Sequence, residues 1–264
     1  QMFSRCARRF ASAGTALVKP QRFYKEVGIV SEAEAGVTQF KVTVDGRVIK
    51  TRGGKPLQMT SEPLAMAVAE EWASQADHIE QGLMRLTGLA MTAIDNPLHM
   101  TKESITEVIM EYLATDTVLF FAPENELLME AQQKHWMPVI ADTNKDMGTT
   151  IQPVVDFVAD PVSDDDRRKF ESWLRSYNFW ALTGMQYAVQ SAKSVLIPLG
   201  MVRHRIGARE AAKLSMLEQV VQTEQWGQVE WAHGIDDEEL CSRLSAAALF
   251  VYLNSNNLTK KTIQ

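Results

Sequence analysis

The sequence predicts an α+β protein, with a small N-terminal antiparallel β-rich domain followed by a mainly α-helical C-terminal domain. Three observations carry that expectation. Apolar and polar residues alternate between Phe23 and Met59, the period of a half-buried strand. After Ser61 the apolar spacing lengthens to three and four, the period of an amphipathic helix. The helical period then holds over nearly all the remaining residues, with no internal repeat and no low-complexity linker.

The expected order is a presequence-like segment at 1–21, a β-rich domain with its closing helix at 22–80, a helical domain at 81–254 and a polar tail at 255–264. Arg5, Arg8, Arg9 and Lys19 with several Ser and Ala, and no acid before Glu26, match the composition of a mitochondrial presequence. A basic tail without an address is the alternative; the first reading implies the mitochondrial matrix. Tyr24 to Val30 reads as a strand leading into an acidic loop from Ser31 to Glu34. Phe40, Val42 and Val44 alternate with polar neighbours. Asp45-Gly46 then turns the chain into Val48-Ile49-Lys50, and Gly53-Gly54 turns it again before Leu57-Gln58-Met59. Ser61 is an N-cap with Pro63 in the first turn, and Leu64, Val68 and Trp72 follow at intervals of four. That stripe must be buried, so packing is the first role of Trp72.

Leu86, Leu89, Ala90, Ala93 and Ile94 form a second stripe that Asn96-Pro97 stops, and Thr101 caps a third helix through Ile105, Ile109 and Leu113. The run Thr117 to Phe121 fits either a strand returning to the sheet or a buried extended link. Leu127, Leu128, Ala131 and Trp136 mark the next helix. Ser163 with Asp164, Asp165 and Asp166 opens another, the acids complementing its dipole. Leu182, Met185, Val189, Ala192 and Leu196 form one long face. A helix from Ala208 to His233 and a last one from about Asp236 to Val251 complete the reading.

A net charge of −6 argues against a nucleic-acid surface, and no apolar run approaches the roughly 20 residues that span a bilayer. Two cysteines, Cys6 and Cys241, are too few for a disulfide scaffold. Gly53-Gly54-Lys55 lacks the spacing and the following helix of a phosphate loop, and no nucleophile elbow or dinucleotide fingerprint occurs. The five histidines show no zinc-ligand spacing, so neither a metal nor a cofactor is expected. An enzyme using Glu230, His233 and Cys241 is the weakest of the readings.

The densest cluster of chemistry is Leu217-Glu218 with the run from Gln222 to His233. Leu214, Leu217 and Val221 make an apolar stripe with Glu218 on its flank. Gln222 follows one turn later, so a carboxylate pair would need Glu224 or Glu230 from another face. By helix geometry alone Glu218 is a solvated rim residue; its other reading is a contact bordering a partner groove.

Ordered motifs add a resemblance. Arg22-Phe23-Tyr24-Lys25, Asp45-Gly46-Arg47, Glu71-Trp72 with Gln75, and Thr92-Ala93-Ile94-Asp95-Asn96-Pro97 stand in the first half. Thr115-Asp116-Thr117, Gln132 to Trp136-Met-Pro138, Lys193-Ser194, Leu217-Glu218 and Gln225-Trp226-Gly227 with Glu230-Trp231-Ala-His233 stand in the second. From about Arg22 to Leu253 the chain resembles the assembly-factor family that chaperones the alpha subunit of mitochondrial ATP synthase. The resemblance implies a non-enzymatic chaperone, a monomer when free, that keeps the unassembled alpha subunit soluble until the beta subunit replaces it. It implies that Glu218 is the family's functionally critical glutamate; beside it, Leu214, Val221, Glu224 and Glu230 are expected as further partner contacts. Trp72, Asp95, Trp226, Gly227 and His233 are then framework. Where the family often has more acids after Leu-Glu, this chain has Gln219, Val220 and Val221. A permanent accessory subunit of a respiratory or ATP synthase complex is the alternative.

Overall fold

A computed structural model describes residues 19–34, 36–155, 160–227 and 232–255, without the side chains of 224–226 and 232–235. Strands β1 (Val27–Glu34), β2 (Val37–Val44), β3 (Arg47–Val48) and β4 (Gln58–Met59) form one antiparallel sheet in which β2 pairs with each of the others. The β2–β3 turn needs positive φ at both central residues, and Asp45 (46°) and Gly46 (75°) supply it. Ser31–Glu34, expected to be a loop, instead lengthens β1, because Glu32 faces Gln39 across the ladder and its carboxylate pairs with Lys41.

Helix α1 (Glu62–Ala73) covers the sheet, capped by Ser61, whose hydroxyl accepts from the Leu64 amide. Helix α2 (Arg85–Asp95) has no cap of its own; Glu71 of α1 accepts from the Leu86 and Thr87 amides and the Thr87 hydroxyl instead. Tyr24, Val42, Leu57, Leu64, Val68 and Trp72 form one core with Met84, Leu86, Leu89, Ala90 and Phe250. Four residues soon after 80 therefore already belong under the sheet, and a late helix closes it.

Helices α3 (Lys102–Ala114), α4 (Glu126–Met147), α5 (Asp164–Arg175), α6 (Phe179–Ala192), α7 (Leu196–Val202), α8 (Ala208–Ser215), α9 (Leu217–Trp226) and α10 (Ala232–Leu253) build the second core. Four sequence expectations need correction here. Thr117–Leu119 is a turn of 3-10 helix followed by a parallel bridge from Phe120 to Val154, neither a strand nor a plain link. Leu127 is exposed, and the buried face of α4 runs through Leu128, Gln132 and Trp136. The face from Leu182 to Leu196 is two helices, since Lys193 adopts a left-handed φ of 54°. The expected helix from Ala208 to His233 is also broken, at Met216 and again at Gly227, and His233 lies in α10.

Asp116 ties this core together. It is fully buried, and its carboxylate accepts from the amides of Val118 (3.1 Å), Val195 (2.6 Å) and Leu196 (3.0 Å). The joint between α6 and α7 is thus fixed to the 3-10 turn.

Candidate functional site

The site is built around the α8–α9 joint. At Leu214 the backbone carbonyl accepts a hydrogen bond from the Trp136 indole of α4 at 3.0 Å. Two residues later Met216 (φ −106°, ψ 12°) leaves helical geometry, and α9 starts afresh at Leu217. Glu218 therefore sits in the first turn of a helix, where the dipole favours a negative charge.

The carboxylate of Glu218 is half-buried and has no hydrogen-bond or ion-pair partner among the described residues. Desolvation by burial pushes its pKa above the ordinary glutamate value. Other charged groups are differently placed: Asp146 is bound by Arg205 (2.7 and 3.0 Å), and Arg209 by Glu238 (2.8 Å). Glu218 is a charge partly removed from water, and no described residue compensates it.

Leu217 and Val220, its neighbours on α9, line a groove of about 730 Å³ between α4, α7, α8 and α9. Pro138, Val139 and Leu199 make the apolar part, and Lys134, Asp142, Arg203 and Lys213 the charged margin. Leu214 and Val221 are each buried to all but 6% and 8%, so their side chains support the site from within. Among the described side chains of α9 the exposed apolar one is Val220, at 42%. Spacing alone pointed to the buried stripe and missed Val220, although the run Gln219-Val220-Val221 carried the signal.

The remaining candidates fall in different places. The backbone of Glu224 and Trp226 lies in α9 and that of His233 in α10; their side chains, and all of Glu230, lie outside the described residues. Gly227 ends α9 with φ 93° and its amide donates to the Thr223 carbonyl at 2.9 Å. Asp95, at the end of α2, accepts from the Thr51 hydroxyl (2.5 Å) and the Gly53 amide (2.9 Å), which clasps the β3–β4 hairpin to that helix. Trp72 is buried against Tyr24, whose hydroxyl donates to the Trp72 carbonyl at 2.8 Å. The structure does not bring Asp95 or Trp72 to Glu218; they belong to the N-terminal core.

Comparison with known proteins gives consistent matches. The family model described as ATP12 chaperone protein matches residues 21–144. A Schizosaccharomyces pombe protein named mitochondrial atp12 is 28% identical over 219 residues, 79% of this chain and 75% of its own. Mitochondrial ATP12 of Saccharomyces cerevisiae is 24% identical over 276 residues, covering 88% of this chain and 84% of its own. The crystal structure of Atp12 from Paracoccus denitrificans superposes with a TM-score of 0.76 at 27% identity, over 89% of this chain and 98% of that one.

Proposed function

We propose that the chain is a member of the ATP12 chaperone family of ATP synthase assembly and that it binds the free alpha subunit of the catalytic sector in the mitochondrial matrix. The observation that supports this reading is the carboxylate of Glu218, half-buried and without a partner among the described residues, in the first turn of α9. An unassembled subunit exposes apolar oligomer surface together with the charged groups that would later be paired. A basic group of the client supplies the charge that Glu218 lacks, while Val220 and the groove beside it cover apolar surface.

Binding of this kind is reversible, and no bond is made or broken. Leu214 and Val221 hold α9 in place from below, and Glu224 and Glu230 add two more acidic residues to the same stretch of sequence. Release follows when a permanent partner covers the same client surface more extensively.

The test is capture of free alpha subunit by wild type, Glu218→Gln and Glu218→Lys, with circular dichroism to establish equal folding. Loss of a partly buried pair gives about tenfold weaker binding for Gln, and like-charge contact gives about a hundredfold or more for Lys. Equal capture by all three removes Glu218 from the interface. Sedimentation separates the second possibility: a chaperone runs apart from the mature complex, whereas a permanent subunit runs with it in stoichiometric amount.

A further inference from the structure

A cleft of about 820 Å³ lies in the N-terminal half between the β3–β4 hairpin and α2, away from the α8–α9 joint. That volume falls in the range of about 300–1,000 Å³ usual for ligand sites. Its floor is apolar: Trp72, Met84 and Met91 line it. Its rim is basic, with Lys50, Arg52 and Lys55 against the single carboxylate of Asp95. That carboxylate is already engaged by Thr51 and Gly53, and Lys55 already donates to the Ile94 carbonyl at 2.8 Å. Lys50 and Arg52 are exposed; Arg52 makes only a 3.3 Å contact to the neutral Gln81, which leaves its charge unbalanced. In a chain of net charge −6 this is a local reversal of sign.

A second observation marks the same cleft. Trp72 is 9% exposed, and its indole N–H is the one buried side-chain polar atom without a hydrogen-bond partner among the described residues. A buried donor left unmade costs about 1–3 kcal/mol, and native structures satisfy nearly all of them. Here the sole exception lies in a residue that lines a cationic cleft.

We propose that this cleft binds an acidic, apolar-anchored extended segment of a protein client, whose apolar side chains rest on Met84 and Met91 and whose carboxylates meet Lys50 and Arg52. The segment packs over the Trp72 ring, and its charge and proximity change the surroundings of the indole N–H. Only the identity of the client as alpha subunit rests on the function proposed above. The two contacts are complementary in sign, Glu218 taking a cation and the cleft an anion, so a client with both charges is held in one orientation.

The experiment uses the ¹⁵N-labelled full chain and two blocked synthetic hexapeptides as probes, one alternating glutamate with leucine and one alternating lysine with leucine. The indole signal of Trp72 is assigned by its disappearance in Trp72→Phe. The acidic peptide is expected to move that signal saturably and to bind more weakly as salt rises; the basic peptide is expected not to bind. Lys50→Glu with Arg52→Glu, both exposed and outside the Asp95 clasp, should weaken the acidic peptide by about tenfold or more. Glu218→Lys should leave peptide binding unchanged while losing the alpha subunit, which separates failure of this inference from failure of the other. Equal binding of the two peptides, or an unmoved Trp72 indole at saturation, overturns the proposal.

Discussion

Asp116→Ala tests the clasp that holds α7, and with it one wall of the groove beside Glu218, and its effect can be worked from the contacts. The substitution leaves three buried amides, those of Val118, Val195 and Leu196, without their acceptor. At about 1–3 kcal/mol each, the gross loss centres on roughly 6 kcal/mol. Against it stands relief of desolvation. Burial lifts the carboxyl from 3.8 to about 6, even with the Ser194, Leu196, Val195 and Val118 hydrogen bonds opposing. A shift of about 2 units is worth about 3 kcal/mol, so the net loss at neutral pH is about 3 kcal/mol. A drop in Tm of about 6–12 °C follows for a chain of this size.

The pH dependence gives a sharper check. Because the folded pKa lies above the unfolded one, the native state binds the proton more tightly. The stabilisation from protonation is fully present below about pH 4 and is lost as pH rises through about 6. Wild type therefore gains relative to Asp116→Ala on acidification, and the gap should widen by about 2 kcal/mol between about pH 7.5 and pH 4.5. Urea unfolding of both proteins at the two pH values measures it, since other carboxylates titrate equally in each. A gap that stays constant or narrows in acid refutes the reasoning, as does a variant as stable as wild type.

Other substitutions probe the remaining joints. Glu71→Ala removes the borrowed cap of α2 and should lower stability by about 2 kcal/mol in urea unfolding, as caps and buried carboxylate bonds do. Trp136→Phe keeps an aromatic ring but leaves a small cavity and frees the Leu214 carbonyl; about 2–3 kcal/mol should be lost, with faster hydrogen exchange at Leu217 to Val220. Unchanged exchange there would mean the indole does not set the joint. A Cβ at residue 53 would lie 2.6 Å from Asp95 Oδ1, so Gly53→Ala should open the hairpin clasp and cost about 1–3 kcal/mol by denaturation. Since Glu218 carries a raised pKa and acts as an anion, capture of alpha subunit should decline as pH falls through a value above 4.5, and Glu218→Gln should flatten that dependence.

What could be read from the sequence was local chemistry. The alternation in β2, the Asp45-Gly46 turn, and the caps at Ser61, Thr101 and Ser163 each depend on residues within a few positions, and each stands where expected. What could not be read had a distant cause. The acidic stretch Ser31–Glu34 becomes strand through cross-strand partners on β2, and α2 starts without a cap because Glu71 provides one from another helix. The resemblance of motifs identified Asp116 and Trp136 without saying what they do; their partners lie 78 to 80 residues away.

Glu218 shows how much such a distant cause changes a functional reading. On one continuous helix it would flank the stripe Leu214, Leu217, Val221 mid-span, a position where a glutamate is ordinarily a solvated rim residue. The bond from Trp136 to Leu214 coincides with a break two residues later, and the break makes Glu218 the second residue of a new helix. There the dipole favours the ionised form while partial burial disfavours it, and burial sets the direction of the shift. A charge held between those two effects, with no partner from its own chain among the described residues, is stabilised by any cation brought against it from outside. The same residue on an unbroken, fully hydrated face would gain little from that encounter, because exposed pairs are worth about 0–1 kcal/mol. On the proposed function, the strength of the client contact depends on the α8–α9 break as much as on the carboxylate. Trp136→Phe should accordingly weaken capture of alpha subunit although Trp136 is wholly buried, and a variant that loses stability yet keeps full capture would separate the two.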